Sequence, residues 1–170
     1  GRIVKNRNGR LKMISEYLDF SSTRTSENST QFNLSNLMTE IMHKYNSKVI
    51  TLKCNEKIYM TGKKHLIKRC LYNLIDNSLK YAGNADIVVK KIDTTIEIFV
   101  EDNGPGIPVN ERERVLRPFY RLDKSRQMSE GSVGLGLSIV QDIVNSHGGT
   151  IKLTGVQMKT GLGVTLTFPS

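Results

Sequence analysis

Asp102-Asn103-Gly104-Pro105-Gly106-Ile107-Pro108 is the stretch whose reading decides the fold. An apolar β run, Thr95 to Val100, leads straight into it, which places the Asp102 carboxylate at a strand's end, where a loop exposes it to a cleft. Gly104 and Gly106 let the backbone turn sharply and approach a ligand with no Cβ in the way. Taken alone, D-x-G-x-G is an ordinary turn. A second run, Gly131-Ser132-Val133-Gly134-Leu135-Gly136-Leu137, makes the signal strong. Neither run has the lysine-ended spacing of a P-loop or the strand–GxGxxG–helix context of a dinucleotide fold. Together they point to a nucleotide held by two glycine loops, with one acidic side chain reading its base.

Size and charge set the frame. The 170 residues carry 25 Lys+Arg against 16 Asp+Glu, a net charge of +9 that favours an anionic partner such as a nucleic acid, an acidic protein or a polyphosphate. No block of five like charges occurs and aromatics are few, which argues against a dedicated nucleic-acid platform. Cys54 and Cys70 form no C-x-x-C and read as core thiols in a reducing compartment. No apolar run approaches the roughly 20 residues of a membrane span, and no signal peptide is present, so this piece reads as soluble.

Residues 1–20 form a first unit. Val4, Leu11 and Leu18 recur every seven, with Ile14 and Tyr17 beside them, which predicts a helix over 2–20 whose single apolar seam needs a partner helix. Residues 21–30 are polar throughout and read as a linker, with the main domain over 31–170. Within that domain Phe32 and Leu34 suggest a short strand, and Ser35 is a plausible N-cap for a helix through about Tyr45. Short strands follow at Val49–Lys53 and Lys57–Met60, then a long helix over Lys63–Ala82 closed by Gly83. Ala85–Lys91 and Thr95–Glu101 read as a hairpin turned at Asp93-Thr94. Residues 103–133 are mostly irregular, and so long a loop in a compact domain is usually functional. A helix over Gly134–Ser146 and strands at Thr150–Thr154 and Val164–Phe168 finish the chain. The fold class is α/β (α+β): a mixed, largely antiparallel sheet with helices on one face.

Within the long helix Asn73, Asn77 and Lys80/Tyr81 form one polar stripe beside the apolar arc of Leu66, Ile67, Cys70, Leu71, Leu74, Ile75 and Ser78. Amide oxygens on one stripe suit Mg²⁺, a hard cation that takes few protein ligands besides phosphate oxygens. Lys80 can meet a phosphate and Tyr81 can lie against a purine. On this helix alone, a solvated polar face with Tyr81 half-buried is the favoured reading. After the first glycine loop, Phe119 and Tyr120 can anchor a lid while Arg121, Lys124 and Arg126 close over a triphosphate; a basic surface loop is the plainer reading. Gly134-Leu135-Gly136-Leu137 opens a helix, whose N-terminal N–H groups suit phosphate, and it serves equally as a tight turn packed by its leucines. His43, His65 and His147 have no partner at metal spacing and read as structural or solvent-exposed.

The order of these pieces resembles the ATP-binding catalytic domain of sensor histidine kinases, in the superfamily shared with gyrase and MutL. Asn73 to Tyr81 looks like its N box, Asp102 to Gly106 its first glycine box, and Arg117 to Arg121 its F box. Gly134 to Leu137 is similar to the second glycine box, and Gly161-Leu162-Gly163 with Thr165 to the terminal one. Residues 2–20 look like the second helix of the dimerisation and phosphoacceptor hairpin. The resemblance implies a two-layer α/β sandwich that binds ATP or ADP with Mg²⁺. It implies that Asn77 holds the metal with help from Asn73, that Asp102 accepts from the adenine amino group, and that Tyr81 faces adenine or ribose. Lys80, Arg121, Lys124, Arg126 and the backbone of Gly134, Leu135, Gly136 and Leu137 would face the phosphates. Gly104, Gly106, Ile107 and Thr165 would line the nucleotide site, with Asn73, Lys80 and Arg121 in catalytic roles. The implied partners are a phosphoacceptor helix of the same or a partner protomer and a response regulator downstream. The implied whole protein is a homodimer in the inner or plasma membrane with this domain on the cytoplasmic side, and this piece alone a monomer.

The chain departs from the pattern in two places. Ser132 stands where the second glycine box usually starts with glycine, which stiffens the lid's hinge. None of the three histidines precedes the acidic residue and R-T-P stretch of a phosphoacceptor, so the accepting helix is expected upstream. Two rivals remain at this stage: a gyrase/MutL-type ATPase and a non-catalytic nucleotide-sensing module. The ATPases carry glutamate, as base for an attacking water, where Asn73 stands, and an amide cannot take a proton at neutral pH.

Overall fold

A computed structural model describes residues 27–118, 136–157 and 159–170. The expected helix over 2–20, most of the linker, the lid residues Phe119, Tyr120, Arg121, Lys124 and Arg126, and Gly134 and Leu135 lie outside the described residues.

Strict alternation builds the sheet. In β4 (Ala85–Ile92) and β5 (Thr95–Glu101), Ala85, Ile87, Val89, Ile96, Ile98 and Val100 are buried, while the residues between them face outward. The two strands pair antiparallel through the Asp93 turn, with Ile87 opposite Val100. β7 (Leu162–Pro169) pairs with β5 on one side and with β6 (Thr150–Gly155) on the other, and β2 (Ile50–Lys53) adds a parallel edge to β4. The order is β2-β4-β5-β7-β6, a mixed and largely antiparallel sheet. β1 (Thr30–Asn33) and β3 (Tyr59–Gly62) form a separate antiparallel ribbon.

Helices cover one face: α1 (Leu34–Met42), α2 (Lys64–Ala82) and α3 (Gly136–Ser146), with α3 against α2. Leu66, Ile67, Leu71, Leu74 and Ile75 of α2 are almost fully buried, each stabilising the fold by roughly 1.5–3 kcal/mol. Cys70 lies among them, and burial lifts its thiol to about 12, which makes it inert; Cys54 is half-buried. Among the described residues no helix is long and apolar enough to cross a membrane.

Two local expectations differ from the structure for one reason. Asn33, rather than Ser35, caps α1, its side chain accepting from the Asn36 N–H at 3.0 Å. The Ser35 hydroxyl is used elsewhere, accepting from the Ile58 N–H at 2.8 Å and donating to the Glu56 carbonyl at 3.0 Å. Those bonds tie residues 56–58 into a loop, so β3 starts at Tyr59.

Candidate functional site

Asp102 follows the outward Glu101 and so turns toward the helices, where it is only 5% exposed. Its position is over-determined. The Asp102 N–H donates to the Leu162 carbonyl, and the Leu162 and Gly104 N–H groups both donate to Oδ1, each at 3.0 Å. Oδ2 takes no hydrogen bond among the described residues. The carboxylate is therefore fixed by one oxygen and leaves the other as a free acceptor.

The glycines around it are required by the protein itself. Gly161 adopts φ +147°, and a Cβ there would collide with the Asp102 carbonyl oxygen. Gly106 adopts φ +73°, and a Cβ there would lie 2.7 Å from the Gly161 carbonyl oxygen. The sequence reading gave Gly106 a sharp turn and close approach to a ligand; the structure adds that its loop locks against Gly161. A Cβ on Gly104 would fall 2.7 Å from that of Ala82, so the first glycine loop rests on the last turn of α2. Asn103 adds two ties, its N–H donating to Asn84 Oδ1 at 2.9 Å and its Oδ1 accepting from Lys159 Nζ at 2.7 Å. Ile107 is partly buried, and its carbonyl accepts from Arg112 Nε at 3.0 Å.

The contact of Gly104 with Ala82 brings the stripe on α2 beside Asp102. Asn77 lies roughly 7.5 Å along the axis from Ala82. Asn73 and Asn77 are half-buried, and their amides have no hydrogen-bond partner among the described residues. Lys80 and Tyr81 are exposed, with Lys80 Nζ 5.7 Å from the Tyr81 ring centre. Neutral, hard amide oxygens without protein partners fit a cation that keeps phosphate and water as its other ligands. Among the described residues no group of three His, Cys, Asp or Glu offers a protein-only metal cage.

The second glycine run reaches the described structure at Gly136, the first residue of α3. A Cβ there would meet nothing within 4 Å among the described residues, whereas Leu137 and Ser138 are buried. Thr165 does not join the site. It pairs with Phe99 and Lys152 on the outer face of the sheet, because Val164 and Leu166 on either side point to the core. What the terminal glycine segment supplies instead is the Leu162 amide on Asp102. Sequence reasoning missed that bond, although the alternation of Leu162, Val164, Leu166 and Phe168 already turned Thr165 outward.

Comparison with known proteins gives the family and the fold. The family model described as histidine kinase-, DNA gyrase B- and HSP90-like ATPase matches residues 62–170. The chain is 36% identical to the sensor histidine kinase GtrS of Pseudomonas aeruginosa over 108 residues, 64% of this chain and 22% of that protein. It is 30% identical to the sensor-like histidine kinase SenX3 of Mycobacterium tuberculosis over 168 residues, 92% of this chain and 40% of that protein. The nucleotide-free catalytic domain of histidine kinase ThkA superposes with a TM-score of 0.71 at 26% identity, covering 84% of this chain and 95% of that one. The chain thus spans well under half the length of the curated relatives it matches.

Proposed function

Because the chain belongs to the histidine kinase-, DNA gyrase B- and HSP90-like ATPase family, we propose that it is the ATP-binding catalytic domain of a sensor histidine kinase, transferring the γ-phosphoryl group of ATP to a histidine on a dimerisation helix. The observation that carries this reading is Asp102: a buried carboxylate with Oδ1 fixed by two N–H groups and, among the described residues, no partner on Oδ2, beside a helix stripe whose amides have no partner among the described residues either. In this reading Oδ2 accepts from the adenine amino group, and Tyr81 lies along the adenine or ribose. Asn77, helped by Asn73, holds Mg²⁺, which neutralises phosphate charge. Lys80 and the Gly136–Leu137 backbone meet the phosphates, joined by Arg121, Lys124 and Arg126 of the lid. Phosphoryl transfer needs positioning and charge stabilisation rather than covalent chemistry from the protein, and these residues supply both. Asn73 cannot act as base toward water, which favours transfer over hydrolysis.

The domain division at residues 20 and 30, the homodimeric whole, the response regulator downstream and a membrane location with this domain on the cytoplasmic side belong to the same proposal. The names of GtrS, a sensor histidine kinase, and SenX3, a sensor-like histidine kinase, support the sensor-kinase reading from which these follow.

Asp102→Asn tests the base reading. It keeps the Oδ1 acceptor for Leu162 and Gly104 but presents an NH₂ where Oδ2 stood, donor against donor. ATP affinity should fall about ten- to a hundredfold, the equivalent of a charged hydrogen bond of roughly 1.5–3 kcal/mol, while the melting temperature stays near that of wild type. Equal ATP affinities by titration calorimetry would refute the assignment. Asp102→Ala is the poorer test, since it also strips the buried Leu162 N–H of its partner.

A further inference from the structure

His147 sits where four elements meet. It follows the last residue of α3, and its Nδ1 lies 2.8 Å from the Ile143 carbonyl, so Nδ1 carries the proton. Its Nε2 is therefore a lone pair, and it accepts from the N–H of Lys63 at 2.9 Å. Lys63 is the N-cap of α2, and one of that helix end's free donors is thus satisfied from α3, across 84 residues of sequence. The ring stands edge-on to Phe168 of β7, at 6.3 Å and 90°. On its other side is Gly62 of β3, where any Cβ would fall 2.7 Å from the imidazole Cδ2. The partly buried ring is thus held at both nitrogens and packed against Phe168 and Gly62, with its tautomer set by its partners.

We propose that His147 is a positioning residue for the triphosphate: by bolting the C-terminal end of α3 to the start of α2, it fixes where the N-terminal end of α3 presents Gly136 and Leu137. α3 is a rod of 11 residues, roughly 16 Å long, that rests on α2. The metal and phosphate groups assigned to α2 lie toward its far end, from Asn73 to Lys80. Pinning that end, added to the buried face that packs α3 along its length, restricts how far the rod can slide along the helix that carries those groups. Freed at that end, α3 loses its register with the α2 stripe, and the backbone N–H groups at its start drift from the phosphates. Adenine recognition, built on Asp102 and the sheet, is untouched. The inference rests on the nucleotide reading above.

Glu27 provides the control. Its two carboxylate oxygens take the next N–H groups of the same helix end, from His65 at 2.8 Å and Leu66 at 3.2 Å. It therefore caps α2 as His147 does, but has no tie to α3.

The experiment measures dissociation constants for ATP and AMP in Mg²⁺ by calorimetry, with melting temperatures alongside. His147→Ala should lower the preference for ATP over AMP about tenfold, since misplacement of an ångström or less is enough to cost that much. Glu27→Ala should melt earlier yet keep the wild-type preference. His147→Gln, whose Oε1 reaches the Lys63 N–H, should recover most of the preference; His147→Asn, whose carbonyl stops at the Nδ1 position, should not. If His147→Ala fails to fold, Gln against Asn decides. A wild-type preference in His147→Ala, or equal preferences in Gln and Asn, would reduce His147 to packing alone. A wild-type chain that binds ATP no better than AMP would instead overturn the nucleotide reading, and this proposal with it.

Discussion

The two ends of α2 are opposite solutions to the same problem of polar groups at a helix. At the start, the N–H groups of Lys63, His65 and Leu66 are all taken, by His147 and by both oxygens of Glu27. Toward the other end Asn73 and Asn77 are half-buried with no partner among the described residues, and Lys80 and Tyr81 turn outward. Side chains that close a donor stabilise the fold, whereas a partly buried amide left open costs stability unless something outside the protein binds it. One end is closed by the protein itself; the other, in the proposed function, is kept for the ligand. The same division separates Asp102 Oδ1, bonded to the Leu162 and Gly104 N–H groups, from Oδ2, which has no partner among the described residues.

Substitutions at either end test this division, beginning with the joint between them. Gly161→Ala should be the most damaging, at about 3 kcal/mol or more, because its φ of +147° and its contact with the Asp102 carbonyl admit no Cβ. Urea unfolding measures it, and a loss under about 1 kcal/mol would mean the two glycine loops are not locked. Next, Asn77→Ala should weaken Mg²⁺-dependent ATP binding about tenfold or more with little change in melting temperature. An equal effect with and without Mg²⁺ would take the metal away from Asn77. At the closed end, Glu27→Ala should cost about 1–2 kcal/mol by loss of a charged cap, again read in urea. Nucleotide affinity that falls in step with stability would erase the contrast between the ends.

The smallest effect concerns Tyr45, whose hydroxyl donates to Asp76 at 2.7 Å on the outer side of α2. Tyr45→Phe should cost about 1 kcal/mol at neutral pH. Burial, and then the Asp76 carboxylate, hold the phenol above its ordinary range. A folded value raised above the unfolded one stabilises fully below about pH 10 and is lost as pH climbs beyond it. The gap between wild type and Tyr45→Phe should therefore shrink in alkali. A gap constant from pH 7 to 11 would leave the hydrogen bond without weight.

Much of this was legible in the sequence wherever the signal is local. Alternation in Ala85–Ile92 and Thr95–Glu101 gives the central hairpin and its buried face, and the stripe of α2 separates core from site. What stayed hidden depends on partners far along the chain. Asn33 and Ser35 are both fair caps, and the choice falls to Asn33 because Ser35 is drawn to Glu56 and Ile58. Glu27, in a stretch read as linker, caps a helix 38 residues away. Thr165 shows the opposite failure: strand parity turned it outward, and a motif match overrode that parity.

The placement of β7 has a consequence for how the domain comes into being. It lies between β5 and β6 in the sheet, yet its residues come after both in the chain. During vectorial synthesis β5 and Asp102 emerge first and wait, one edge unpaired, for the strand that will supply the Leu162 amide. Until then no bond from β7 aims the carboxylate, and Gly106 has nothing to lock against. α1, α2 and α3 are therefore all made before the Leu162 N–H can reach Asp102. When β7 is made, it supplies the Leu162 amide to Asp102 and fills the gap between β5 and β6.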